Sequence, residues 1–145
     1  MRIDRATTVP EILAASPLFD APARPEWAAA FLATPGHHLF LACEDADDPA
    51  RPIGFISGVE TLHPDKGREM FLYELAVAEG HRRRGTARAL IRALADLARE
   101  RGCYGMWVGV DQDNAPALAA YRSAGGVDEG ACAVMVWSFV QPREP

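Results

Sequence analysis

The sequence predicts a single α/β (α+β) domain on a mixed sheet, with several antiparallel strands and one parallel pair. Three apolar, β-rich runs, residues 39–43, 52–59 and 71–77, follow one another with polar connections, which is typical of antiparallel neighbours. A helical pattern at residues 85–98 then leads to another apolar run, residues 104–110. A strand, a helix and a strand in this order form a βαβ unit, so we expect these last two strands to be parallel.

The composition is that of an ordinary globular domain. The 145 residues, 49% of them hydrophobic and 24% charged, are enough for one core, so we expect residues 1–145 to form one domain and exclude a disordered chain. The net charge of −5 argues against a nucleic-acid binder. It suits a cationic substrate, but it fits equally well a chain that is acidic for solubility.

Nothing in the sequence indicates a metal, a disulfide framework or a membrane. Cys43, Cys103 and Cys132 are scattered, so we expect small buried side chains rather than a zinc site. His37 and His38 have no third ligand at a regular spacing, which favours an exposed or capping role. The N-terminus has no signal-peptide core and no apolar run is long enough to cross a membrane, so we expect a cytoplasmic protein.

Further strands and helices are predicted before residue 39 and after residue 110. We expect strands at residues 2–6 and 131–140 and helices at residues 10–15, 25–33 and 116–124. Residues 44–51 form an acidic turn, and residues 60–69 form a polar connection that could line one wall of a substrate cleft. The apolar residues of the last strand favour a homodimer.

The turn between the third strand and the helix has the composition of an anion-binding site. Gly80, three arginines in a row and Gly85 precede a helix whose apolar residues recur at spacings of three and four. The unpaired N–H groups and the dipole of a helix N-terminus attract an anion, and arginines add forked donors. The pattern Arg82-x-x-Gly85-x-Ala87 is neither a Walker loop nor a dinucleotide fingerprint. Taken alone, it also fits a solvated arginine run that caps an ordinary helix.

A second motif, Asn114-x-x-Ala117-Leu118-x-x-Tyr121-x-x-x-Gly125, lies on the last predicted helix. Asn114 and Tyr121 are two helical turns apart, so both lie near one face of that helix. Taken alone, Tyr121 could simply fill the core. Beside a cofactor thiol, its hydroxyl could instead protonate a departing thiolate.

The two motifs, in this order and at this separation, resemble the cofactor-binding motifs of the GNAT superfamily of N-acetyltransferases. The resemblance covers residues 39–140. It implies the GNAT fold, a mostly antiparallel mixed sheet with one splayed parallel pair and helices on both faces. It also implies acetyl-CoA as cosubstrate and no metal. One departure is Gly126, where family members usually have an aromatic residue.

The resemblance assigns roles residue by residue. The backbone of the strand before the loop, at Leu75, Ala76 and Val77, would pair with the pantetheine arm of acetyl-CoA. The residues that would hold the pyrophosphate are Arg82, Arg83, Arg84, Gly85, Thr86 and Ala87. Asn114 would bond the pantetheine, and Tyr121 would protonate the CoA thiolate.

An amine that attacks a thioester must lose a proton, so the reaction needs a base as well as an acid. Glu74 is the first candidate, because it interrupts an apolar strand, where a carboxylate is costly unless it faces a cleft or is paired. It could also be satisfied by a loop arginine. Asp111, at the end of the parallel strand, is the second candidate. Asp113 and Glu60 would anchor a cationic substrate, and Glu74 or Asp111 could do the same.

A narrower resemblance adds a substrate class. The strings FLYELAV, EGHRRRGTARALI and PALAAYRSAGG are similar to aminoglycoside 3-N-acetyltransferases of the gentamicin/fortimicin type, which implies a role in antibiotic resistance. We therefore expect transfer of an acetyl group from acetyl-CoA to a primary amine of a small cationic, aminoglycoside-like molecule. The alternatives are an N-acetyltransferase for proteins, peptides or polyamines, or a catalytically weak acyl-CoA-binding module. Neither a nucleic acid nor a membrane is an expected partner.

Overall fold

The computed structural model describes residues 1–44 and 51–140 of the chain. The strands of this part are β1 (Arg2–Arg5), β2 (His37–Cys43), β3 (Pro52–His63), β4 (Gly67–Val77) and β5 (Met106–Trp107). The α-helices are α1 (Val9–Ala14), α2 (Pro25–Ala33), α3 (Thr86–Glu100) and α4 (Ala115–Ser123), with 3-10 turns at Ser16–Leu18 and Glu79–His81. Within these described ranges, no helix is long and apolar enough to cross a membrane.

The sheet has the predicted mixed arrangement. Its strands lie in the order β1-β2-β3-β4-β5, and neighbours are antiparallel except for β4 and β5, which are parallel. α3 connects this parallel pair, as the βαβ pattern predicts. The bounds of α2 are those predicted, and those of α3 and α4 differ from the prediction by two residues or fewer.

Helices cover both faces of the sheet, which confirms the predicted layers. α3 packs on one face because its apolar residues form a single stripe. The side chains at the centre of this contact are almost completely buried: Ile56, Met70, Leu72, Leu90 and Leu94. α1 and α2 pack on the opposite face, above Leu39, Leu41 and Phe55. The sheet is therefore the shared wall of two cores.

Two glycines in β3 let α3 approach the sheet closely. A Cβ atom on Gly58 would lie 2.6 and 2.9 Å from the two methyl groups of Leu94. A Cβ atom on Gly54 would lie 3.2 Å from the Leu90 side chain and 3.3 Å from that of Thr86. Because Thr86 is the first residue of α3, this close packing holds the N-terminus of the helix against the sheet.

α4 ends in a Schellman motif that explains the unusual glycine pair. The Gly126 N–H donates to the Tyr121 carbonyl (2.9 Å), and the Gly125 N–H donates to the Arg122 carbonyl (3.0 Å). Gly125 has a φ of 98°, in the left-handed region. A Cβ atom on Gly126 would lie 2.9 Å from the Tyr121 carbonyl oxygen, so this tight turn requires glycine where family members usually have an aromatic residue.

The prediction of a polar loop at residues 60–69 is wrong. β3 continues to His63 and β4 begins at Gly67, so this stretch is a tight hairpin whose strands pair along its whole length. It therefore extends the sheet as a pair of strands. Most of the predicted acidic turn, residues 45–50, lies outside the described residues.

The last two predicted strands are also corrected. The strand expected at residues 104–110 is reduced to Met106–Trp107, because β5 diverges from β4 after only two paired positions. Residues 131–140 form no strand, and their side chains are exposed. Cys132 lies in this exposed segment, so the expectation of a buried thiol is wrong for it.

Candidate active site

β4 and β5 form a parallel pair that opens toward the C-terminal end of β4. Met70 pairs with Met106 and Phe71 with Trp107, and the ladder stops there. Further along β4, Leu75, Ala76 and Val77 remain paired with β3 on one side. On the β5 side, these three residues have no strand partner in the described part of the chain. They are the residues whose backbone the family resemblance assigns to pantetheine, and an extended ligand could pair with this open edge.

A β-bulge redirects the middle of β4. Ser57 pairs with Glu74 but the next residue, Gly58, pairs with Leu72, so Tyr73 is the extra residue. As a result Tyr73 and Glu74, although consecutive, are both exposed. The buried Ser57 hydroxyl oxygen accepts a hydrogen bond from the Glu74 N–H (3.1 Å). Ser57 thus holds the bulge that presents Glu74, and the sequence pattern gave no sign of this role.

The Glu74 carboxylate makes no ion pair with any described residue. The alternative prediction, in which a loop arginine pairs with the Glu74 carboxylate, is therefore wrong. Partial burial of the carboxyl, reinforced by the negative charge of Asp20, raises the pKa of Glu74. Asp20 is an exposed residue of the connection before α2, and sequence reasoning missed it because no motif links it to β4.

The loop after β4 brings the helix N-terminus and the arginines together. Gly85 is the N-cap residue of α3, with a φ of 82° and no side chain to bond the first N–H groups of the helix. Arg83 also has a positive φ, 63°. The first turn of α3 contains no acidic residue, and Thr86 is buried against the sheet. The N–H groups of this turn therefore remain available for an anion.

The three arginines of this loop are exposed but differ in their partners. The Arg82 Nε donates to the carbonyl of Val77 (3.1 Å), which ties the loop to the end of β4. Arg84 forms an exposed ion pair with Glu44 (3.3 Å). Arg83 has no ion pair among the described residues. The combined charge of the loop stays positive beside the helix N-terminus, which suits a phosphate or pyrophosphate group.

Asn114 and Tyr121 lie on α4 with separate structural tasks. The Asn114 Oδ1 accepts a hydrogen bond from the Ala117 N–H (3.2 Å) and so caps the helix, which leaves the amide NH2 group as its free donor. Tyr121 is half-buried against the core on the α3 face. Burial raises the pKa of its hydroxyl, so Tyr121 is protonated at neutral pH. A protonated hydroxyl is the form that a general acid requires.

The remaining carboxylates of the predicted site lie in different environments. Asp111 and Asp113 are both exposed in the turn before α4, where the Asp111 carbonyl accepts from the Asn114 N–H (3.0 Å). Glu60 is the opposite case, with a side chain only 2% exposed. It accepts from His38 Nε2 (2.6 Å), Arg101 Nε (3.0 Å) and Arg68 Nη1 (3.3 Å). Its carboxylate is fully engaged inside the protein, contrary to its predicted role as a substrate anchor.

His38 is the buried centre of this network, so its predicted exposed or capping role is wrong. Its Nδ1 faces the Arg5 guanidinium at 2.5 Å, and a guanidinium can only donate. Nδ1 must therefore accept, which leaves Nε2–H to donate to Glu60. The imidazole is neutral, in agreement with burial, which lowers the pKa of His38.

Residues 1–44 and 51–140 contain no cluster of three or more side chains suited to a metal ion.

Comparison with known proteins agrees with this geometry. Residues 7–125 match the Acetyltransferase (GNAT) family. Over 58 residues the chain is 45% identical to a streptothricin acetyltransferase from Streptomyces lavendulae, a match that covers 40% of this chain and 31% of that relative. Over 57 residues it is 39% identical to the ribosomal protein bS18-alanine N-acetyltransferase of Escherichia coli (strain K12), covering 39% of this chain and 38% of that relative. These matches thus span well under half the length of either relative.

A solved structure resembles the whole chain. It is an aminoglycoside acetyltransferase, meta-AAC0020, from an uncultured soil metagenomic sample, in complex with sisomicin. The TM-score is 0.85 at 19% sequence identity, and the alignment covers 96% of each chain, which supports the fold. With a family match over most of its length and the predicted splayed sheet, the chain belongs to the GNAT acetyltransferase family.

Proposed function

We propose that this chain transfers an acetyl group from acetyl-CoA to a primary amine of a small cationic, aminoglycoside-like substrate. The observation that carries the proposal is the position of Glu74. Its unpaired carboxylate, with Asp20 nearby, stands on the strand whose open edge continues toward the anion-binding loop. A cationic amine drawn to these carboxylates would meet a thioester lying along that edge.

The proposed cofactor path follows the open edge of β4. The GNAT family uses acetyl-CoA, so the pyrophosphate is placed at the N-terminus of α3, within reach of Arg82, Arg83 and Arg84. The backbone of residues 75–77 pairs with pantetheine, and the free amide donor of Asn114 adds a further bond. Tyr121, two turns along α4 from Asn114, is then placed near the sulfur.

The chemistry is a direct attack on the thioester. The neutral amine adds to the carbonyl carbon of the acetyl group, and the tetrahedral intermediate collapses as the carbon–sulfur bond breaks. Glu74 accepts the proton lost by the amine, directly or through water, because its raised pKa makes it a better base near neutral pH. Tyr121 gives its proton to the departing thiolate. Asp111 and Asp113, exposed near the start of α4, bind further ammonium groups of the substrate.

The relatives favour two different classes of acceptor amine. The match to an enzyme named as a ribosomal protein bS18-alanine N-acetyltransferase favours a protein amine as the second candidate acceptor. The match to a streptothricin acetyltransferase favours a small molecule. For an aminoglycoside acceptor, resemblance to the gentamicin/fortimicin type predicts acetylation of the 3-amino group, which NMR of the product would identify.

The test is a free-thiol release assay with acetyl-CoA against streptothricin, gentamicin, kanamycin, spermidine and a peptide with N-terminal alanine. We expect turnover on the cationic antibiotics. The variant Glu74→Gln should lose roughly 10²–10⁴-fold in kcat, the usual contribution of a positioned general base. Preference for the alanine peptide would favour the second candidate, and acetyl-CoA binding without turnover on any amine would contradict the proposal.

Asp20→Asn is the matched variant that separates electrostatics from proton transfer. Because the charge of Asp20 raises the pKa of Glu74, removing it should lower that pKa. The acidic limb of the kcat/KM profile should then move to lower pH, while KM for a cationic amine rises. An acidic limb that does not move in Asp20→Asn would contradict the assignment of Glu74 as the base.

A further inference from the structure

Three aromatic side chains of β4 and β5, which we call the aromatic row, lie against one another at the surface of the sheet. Phe71 stacks on Trp107, with 4.4 Å between ring centroids and 23° between ring planes. The Phe71 ring also meets that of Tyr73, with centroids 5.6 Å apart. Tyr73 is 60% exposed and Trp107 is 50% exposed, and none of the three rings belongs to either core. A group of large aromatic side chains that stays in water marks a site of recognition.

The aromatic row lies on the face of the sheet that points away from α3. Met70 and Leu72 are buried in the core beneath α3, so the alternation of side chains along a strand places Phe71, between them, on the opposite face. The two neighbours of Trp107 pack against the same core, and Trp107 therefore also faces away from α3. The helices on that opposite face, α1 and α2, pack above β2 and β3 and leave the row exposed.

Glu74 is on the same face as the aromatic row. Leu75 packs with the core beneath α3, whereas Ala76 packs with the core beneath α1 and α2. Alternation therefore places Glu74, two residues before Ala76, on the α1 and α2 face. Tyr73, the extra residue of the β-bulge, directly precedes Glu74, and both are exposed. The row thus ends beside the proposed base.

The carboxylates that follow the aromatic row in the chain carry free negative charge. Glu74 follows Tyr73 directly, and Asp111 follows Trp107 by four residues. Both are exposed, and neither has an ion pair among the described residues. An aromatic face attracts a cation through its quadrupole, and nearby carboxylates add to that attraction. Flat rings next to unpaired carboxylates fit a ring-shaped molecule that carries ammonium groups.

We propose that the aromatic row binds a non-reacting amino-sugar ring of the acceptor and thereby selects ring-shaped cationic amines over linear ones, an inference that rests on the acetyl transfer proposed above. The C–H face of the sugar ring lies against Tyr73 and Trp107, with Phe71 supporting both. Its ammonium groups lie over the aromatic faces or beside Asp111. The reacting amine, on the adjoining ring, then reaches Glu74 at the end of the row. A linear polyamine has no flat face and gains only the charge interactions.

The test compares kcat and KM for kanamycin and for spermidine in the wild type, Tyr73→Leu and Trp107→Leu. Leucine keeps an apolar side chain and removes the flat aromatic face. We expect KM for kanamycin to rise about 3- to 30-fold in each variant, and KM for spermidine to rise less than about twofold. The kcat for kanamycin should stay within a few-fold of wild type, because Glu74 and Tyr121 are retained. Tyr73→Phe keeps the ring and should keep the wild-type KM.

Tyr104→Leu is the matched control. Tyr104 is also half-exposed, but it precedes β5, where its N–H donates to the Arg68 carbonyl near the start of β4. Its loss should leave KM for kanamycin unchanged. A wild-type KM for kanamycin in Tyr73→Leu and Trp107→Leu would overturn the proposal, and so would an equal rise in KM for spermidine. A changed mass in light scattering with unchanged KM would assign the row to a protein partner and overturn the proposal as well.

Calorimetric binding separates failure of this inference from failure of the proposed function. Kanamycin is titrated into the protein saturated with CoA, so the measurement needs no turnover. Binding that weakens in Tyr73→Leu and Trp107→Leu, without acetyl transfer in the wild type, would contradict the proposed function and support the aromatic row. Turnover of kanamycin with a wild-type KM in both variants would do the reverse. Absence of kanamycin binding to the wild type would overturn both.

Discussion

Replacing Tyr121 with phenylalanine is expected to lower kcat by roughly 10²–10⁴-fold, the range for loss of a positioned general acid. The variant keeps the ring that packs against the core and removes only the hydroxyl. Because burial raises the pKa of Tyr121, the wild-type hydroxyl is protonated at the pH of the assay and can donate to the thiolate. KM for acetyl-CoA should change little, since the proton moves only as the carbon–sulfur bond breaks. Steady-state thiol release measures both constants.

The matched control is Tyr104→Phe. Tyr104 is half-exposed and lies just before β5, where its ring packs against His63. It has no role in the proposed chemistry, so kcat should remain within a few-fold of wild type. Both variants should unfold at the wild-type temperature within a few degrees. An undiminished kcat in Tyr121→Phe would show that another group, or water, protonates the thiolate.

Replacing Glu60 with glutamine is expected to give the largest loss of stability. The buried carboxylate compensates the charges of Arg68 and Arg101 and accepts from His38. Breaking a buried ion pair by removing one partner costs about 3–5 kcal/mol. We expect a value near the lower end, because both arginine side chains are partly exposed and can turn toward water. Urea unfolding of wild type and variant measures the difference.

Asp96→Asn is the control for this variant. Asp96 pairs with Arg99 at 3.0 Å on the surface of α3, where both side chains are well exposed. Surface pairs of this kind contribute about 0–1 kcal/mol, so the free energy of unfolding should hardly change. If Glu60→Gln were as mild as Asp96→Asn, the buried network would not stabilise the sheet.

The same network predicts how stability depends on pH. Burial lowers the pKa of His38. Burial alone would raise the pKa of Glu60, but hydrogen bonds from His38 and Arg101 outweigh it and lower that pKa. Both groups bind protons more weakly in the folded state, so acid favours unfolding. The loss should begin below about pH 6.5 as unfolded histidine protonates and steepen below about pH 4.3 as unfolded glutamate does. In Glu60→Gln, the loss of stability below about pH 4.3 should be less steep than in the wild type.

The strands and helices of the core were predictable because their apolar periodicity is strong. α3 follows Gly85 and carries a regular apolar stripe, whereas α2 was located by the proline at its first position and by the Pro35-Gly36 stop after it. The hairpin at residues 60–69 was missed because its polar residues resemble a loop. Two of them are explained by the ion network in which Arg68 pairs with the buried carboxylate of Glu60. No local pattern reveals that a charged residue is buried with partners distant in sequence.

The strand predictions for residues 104–110 and 131–140 were wrong for a different reason. Residues 104–110 have the composition of a strand, but pairing stops where β5 leaves β4, and that divergence is the feature that opens the site. Residues 131–140 also have strand composition, yet nothing in the described chain pairs with them. In the candidate site, the two motifs predicted the positions of the arginine-rich loop before α3 and of α4. The roles of Asp20 and Ser57 could not be predicted, because both residues are distant from Glu74 in sequence and come close to it only in the folded chain.

The most direct test of the account is a crystal structure of the protein with CoA bound. We predict the pyrophosphate within hydrogen-bond distance of backbone N–H groups between Arg83 and Ala87, and pantetheine paired with the backbone of residues 75–77. The sulfur should then lie beside the Tyr121 hydroxyl. CoA bound elsewhere, or β4 and β5 closed into a continuous ladder along these residues, would contradict the proposed site.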